Sequence, residues 1–166
     1  MVPYGSMRRP EDRYARTINQ PGAGRPAPLL PSKEKRMNPA VKENLVPEIR
    51  ERVDRAMRVV RAIAEKAFAE GNWIRVDYGY ECGMCDPHNT WEALEPDLNE
   101  CDDEWLVFYR DEKTARETQP LGYGHIYLVY ENGHEVIADY SLDVEEFADA
   151  GLLEANKIEL EDEQRT

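Results

Sequence analysis

Apolar residues recur at Leu45, Ile49, Val53, Met57, Val60, Ala64 and Phe68, in steps of three and four that align them on one stripe of a helix. Arg50, Arg52, Arg55, Arg58 and Arg61 fall mostly off that stripe. Pro47 suits a first helical turn, where its missing N–H is not needed, and Gly71-Asn72 supplies a left-handed stop. The pattern predicts a long amphipathic helix over about 46–70.

The period then changes to two. Trp73 to Tyr80 alternates, with Ile74, Val76, Tyr78 and Tyr80 on one side, as a strand with one buried face requires. Trp105 to Arg110 is a continuous aromatic and β-branched run of strand length. His125 to Tyr140 reads as two strands around Asn132-Gly133, the preferred pair for a two-residue type I′ turn. That turn would pair Val129 with Val136, Tyr127 with Ala138 and His125 with Tyr140. Ile126, Leu128, Tyr130 and Ile137 would share the opposite face with Glu135 and Asp139. Both faces are substantially apolar, which predicts a central hairpin or a face used for contact.

Asp143 followed by Glu146 resembles a capping box, with Val144, Phe147 and Leu152 facing inward in a short helix ending near Gly151. Helix, strand, strand, hairpin and helix in that order predict an α+β fold. Its antiparallel sheet of about four strands, including the 125–140 hairpin, is covered on one side by the long helix. Residues 1–36 carry six prolines and few apolar residues, and are expected to form a disordered arm, with Met37 an alternative start. The expected organisation is therefore this arm, a single domain over 37–156, and a frayed acidic tail over 157–166.

Charge changes the picture of what such a domain can touch. Residues 1–40 hold eight Lys/Arg against three Asp/Glu, whereas residues 77–166 hold five against twenty-five. That anionic field repels nucleic acid and anionic lipid, because both need Lys and Arg to displace counterions. It attracts a basic protein surface. No apolar leader segment and no run of roughly 18 apolar residues is present, so the expectation is a cytoplasmic protein without a membrane role. Three cysteines, an odd count, speak against a closed disulfide framework.

All three cysteines and one of the three histidines lie between positions 82 and 101. Cys82 and Cys85 have the spacing that brings two sulfurs to one point, and His88 with Cys101 would complete a tetrahedral Cys₃His zinc set. The lone second pair is irregular for such a site. A redox role fits less well, since Glu81, Asp86 and Glu92 raise a nearby thiol pKa and no helix begins at the first cysteine. Small core or turn residues are the plain alternative.

Between positions 97 and 104 stand Asp97, Glu100, Asp102, Asp103 and Glu104. The segment lacks the glycine and the terminal glutamate spacing of a calcium loop, so it reads either as a solvated acidic loop or as a carboxylate array mimicking a phosphate backbone. Catalytic patterns are thin: His125 and His134 sit at opposite ends of the hairpin, and Leu121-Gly-Tyr-Gly124 is too short for a phosphate loop. The leading expectation is a non-enzymatic acidic interaction protein engaging a basic, nucleic-acid-binding partner in the manner of a DNA mimic. Its expected contacts are the five carboxylates and Tyr127, seven of the nine tyrosines lying within 78–140. The alternative is a small zinc-binding domain organised by Cys82, Cys85, His88 and Cys101.

Overall fold

The computed structural model describes residues 46–79, 83–117 and 122–166. The expected arm, Leu45, Tyr80 and Cys82 lie outside the described residues.

The long helix forms as the periodicity predicts: α1 runs Pro47–Ala69 with proline in its first turn. Its end is closed by Gly71 at φ +81°, whose amide reaches Phe68 O at 2.9 Å while the Asn72 amide reaches Ala67 O at 3.0 Å. The buried side is Ala56, Val59, Val60, Ile63, Ala64 and Ala67, rotated from the predicted stripe, and Ile49 is exposed. The long C-terminal helix, Glu145–Arg165, explains the rotation, because α1 must face both it and the sheet.

Four antiparallel strands follow in sequence order: β1 Trp73–Asp77, β2 Asp103–Tyr109, β3 Gly124–Val129 and β4 Ile137–Tyr140. Two one-turn helices lie between them, α2 Trp91–Leu94 capped by Thr90 and α3 Glu112–Ala115 capped by Asp111. Ile74, Val76, Leu106, Phe108, Ile126 and Leu128 turn one face of the sheet onto α1 and the C-terminal helix, forming the main core. On the other face Val107 and Tyr109 form a smaller cluster with Ala115 of α3, flanked by Trp73, Met84 and Trp105.

The two-residue hairpin turn does not form. Tyr130–Glu135 is instead a 3-10 segment kinked at Gly133, whose φ of 64° and ψ of −123° match the first central position of a type II′ turn. Asn132 has no positive φ. The longer loop lets Tyr130 and Val136 both enter the core, which a two-residue turn would prevent. The Val129 amide still meets Val136 O at 2.8 Å, and Leu128 pairs with Ile137. A register shift then sets Tyr127 opposite Asp139 and Ile126 opposite Tyr140. Asp139 and Tyr140 thereby exchange the faces expected of them: the ring packs on the core and the carboxylate turns to water.

The C-terminal helix is longer than expected. A 3-10 turn, Leu142–Val144, leads into α4, Glu145–Arg165, and no side chain caps either start. Gly151 does not stop it. A Cβ there would stand 2.7 Å from Ile63 Cγ1 and 3.0 Å from Ile137 Cδ1, so glycine is the residue that lets α4 approach α1. Phe147, Ala148, Gly151, Ala155 and Ile158 face inward, while Leu152 is exposed. Residues 157–165 continue the helix rather than fray. Arg55 clasps Asp162 at 2.6 Å, and Arg58 clasps Glu154 at 2.7 Å and Glu161 at 2.8 Å, fixing the two helices antiparallel. No described helix is long and apolar enough to cross a membrane.

Candidate functional site

Strand alternation divides the expected acidic array in two. In β2, Asp103, Trp105 and Val107 point to the face away from α1, while Glu104, Leu106 and Phe108 point into the core. Glu104 is only 1% exposed and Asp97 5%. These two carboxylates therefore cannot serve as surface contacts, a correction to the sequence expectation. Glu100 is half-buried, and only Asp102 and Asp103 stand exposed.

On the outer face the pairing builds a continuous cross-strand row. Asp77 stands opposite Trp105, Trp105 opposite Tyr127, and Tyr127 opposite Asp139. The Trp105 and Tyr127 rings stack with centroids 4.4 Å apart, and the His125 ring meets Trp105 edge-on at 5.0 Å. The Tyr127 hydroxyl donates to Asp103 diagonally across the strands. Two half-buried aromatic rings are thus flanked by carboxylates at both ends and at one side. Tyr127, Asp102 and Asp103 were expected contacts. Trp105, Asp77 and Asp139 were missed, although pairing the 105–110 run against the hairpin would have placed Trp105 beside Tyr127. Asp139 depended on the register shift.

The inward half of the acidic segment joins the cysteine stretch. Residues 83–88 fold back along β1: Cys85 N reaches Val76 O at 2.9 Å, and His88 exchanges two 2.8 Å backbone bonds with Ile74. Arg75 holds the turn by donating to Cys85 O at 2.7 Å and Ala115 O at 2.9 Å. Cys85 Sγ, a ring nitrogen of His88 and a carboxylate oxygen of Asp97 then lie within 4.8 Å of one another. His88 Nε2 and Asp97 Oδ2 are 2.7 Å apart, and the Tyr78 hydroxyl donates to Asp97 O at 2.6 Å. Burial pushes the Cys85 thiol up to about 12, partly offset by the Val76 amide, which donates to Sγ at 3.0 Å. Burial also raises the Tyr78 phenol well above its ordinary value. Of the four expected zinc ligands, Cys85 and His88 are brought together. Cys101 is half-buried and not in this group, and Cys82 lies outside the described residues.

Glu104 is the remaining buried carboxyl. Its Oε1 accepts the Asn99 amide at 3.0 Å and the hydroxyl of the fully buried Tyr130, with the Glu100 amide beside the group. Oε2 meets no hydrogen-bond donor among the described residues. Burial pushes the carboxyl up to about 7.

No family model matches the chain, nor does any curated protein or solved structure.

Proposed function

We propose that the protein is a non-enzymatic interaction protein that binds a basic segment of another protein on the outer face of its sheet. The row Asp77–Trp105–Tyr127–Asp139 is the observation that carries this reading. Tryptophan and tyrosine supply large contact area at little entropic cost, and they dominate interface energetics. An arginine or lysine laid over such rings gains a cation–π contact of about 0.5–2 kcal/mol, and the flanking carboxylates meet its charge. The surplus of acids over 77–166 draws such a segment in from a distance and excludes phosphate polymers from the same face.

The contact proposed here is narrower than the whole 97–104 segment. Asp103, whose carboxylate accepts from the Tyr127 hydroxyl, lies beside the aromatic row; Asp102 is exposed, and Asp97 and Glu104 are buried. A partner surface built for nucleic acid has the right charge, so duplex DNA competes with this protein for it in the proposal.

The test is a titration of the full chain against synthetic 15-residue peptides, one arginine-rich, one lysine-rich and one with both replaced by glutamine. Calorimetry at 0.15 M salt should show binding to the first two and none to the third. Equal binding of all three, or of none, contradicts the proposal.

A further inference from the structure

A metal site emerges from residues that the acidic interaction surface does not use. We infer that Cys85, His88 and Asp97 bind one zinc ion through Sγ, a ring nitrogen and a carboxylate oxygen, with a water molecule as fourth ligand. The three ligand atoms already converge within 4.8 Å, and tetrahedral zinc needs them roughly 3–4 Å apart. Small side-chain rotations close that difference while the backbone stays fixed. The backbone is stapled on both sides: Cys85 and His88 to β1 by their amides, Asp97 by the Tyr78 hydroxyl on its carbonyl.

The donor set also fits zinc in charge and softness. A thiolate and a carboxylate balance the dication, and thiolate with imidazole favours zinc over magnesium or calcium, which want oxygen alone. The Val76 amide already donates to Sγ, as a bound thiolate requires. Among the described residues Arg75, Tyr78 and Glu104 are the other polar and charged groups near the thiol, and the Asp86 carbonyl accepts its S–H at 3.0 Å, a hydrogen bond that gives way when zinc takes the proton's place. Binding replaces the Cys85 S–H bond with a zinc–sulfur bond and releases that proton to solvent; His88 binds neutral and Asp97 ionised.

This ligand set differs from the sequence expectation, which joined Cys82 and Cys101, and not Asp97, to Cys85 and His88. Native mass spectrometry of the full chain with one equivalent of zinc should show a single bound ion, and cobalt should give a thiolate-to-metal charge-transfer band. Cys85→Ser and Asp97→Asn should each weaken zinc at least tenfold, and Cys101→Ser should leave it unchanged. Circular dichroism in chelator verifies that each variant is folded, and the cobalt band of the parent reads the thiolate without any variant. A parent that stays metal-free, a cobalt complex without the sulfur band, or loss of zinc in Cys101→Ser overturns the assignment.

Discussion

Tyr130 donates its hydroxyl to Glu104 inside the core, joining the loop after β3 to the start of β2 across 26 residues of sequence. One oxygen of that carboxyl meets no donor among the described residues, so its charged form is costly where it sits. The tight turn at Asn132-Gly133 would keep Tyr130 inward but set Val136 outward beside Val129; the longer loop brings both into the core.

The pH dependence follows from that burial. Glu104 is raised from an ordinary 4.5 to about 7, so between these values the folded protein holds a proton that the unfolded chain has lost. Folding stability therefore falls as pH rises from about 4.5 to 7, by about 3 kcal/mol for a shift of this size. Urea unfolding at pH 5 and pH 8 should show the parent losing roughly 2–3 kcal/mol more than Glu104→Gln over that interval. The difference between the two proteins removes the contribution of the other carboxylates, and parallel pH profiles would place Glu104 in a wetter environment than described.

Gly133 tests the loop that replaces the expected turn. Its backbone lies in a region that L-residues avoid, while a Cβ would meet Arg52 only at 3.8 Å, an ordinary contact. The cost of a side chain is therefore conformational. Gly133→Ala should lower stability by about 1–2 kcal/mol and Gly133→Val by more, with an unchanged denaturant slope.

Gly151 acts through packing instead. A leucine there must push against Ile63 and Ile137, so Gly151→Leu should cost about 1–3 kcal/mol despite leucine's better helix propensity. A variant more stable than the parent would show α4 standing farther from α1.

Much of this architecture was written in local periodicity. The three-and-four spacing gave α1, alternation gave β1 and β3, and the order of elements gave an antiparallel sheet with the long helix on one face. What escaped was set by contacts distant in sequence. Gly151 looks like a helix stop until Ile63 is known to face it. Ala138 to Tyr140 looks like plain alternation until Tyr140 is drawn onto the core and shifts the register. Asp97 and Glu104 look like two more charges in an acidic run. Their burial depends on which way β2 faces and on the partners, His88 and Tyr130, that other segments bring to them.

The clasp between the helices carries a smaller, salt-sensitive contribution. Arg58 reaches two carboxylates of α4 from an exposed position. Arg58→Ala should cost about 0.5–1 kcal/mol at low salt and less at 1 M, measured by thermal unfolding at both ionic strengths.

The central claim is that the aromatic row on the outer sheet face, and not bulk negative charge, binds the basic partner. The most direct measurement compares the affinity of an arginine-rich peptide for the parent, for Tyr127→Ala with Asp139→Asn, and for Asp149→Asn with Glu163→Gln on α4. Both double variants change surface residues, and the second removes more negative charge than the first. The account predicts a loss of tenfold or more for the sheet variant and less than threefold for the helix variant at 0.15 M salt. Equal weakening by the two, or a greater loss from the helix, would contradict it.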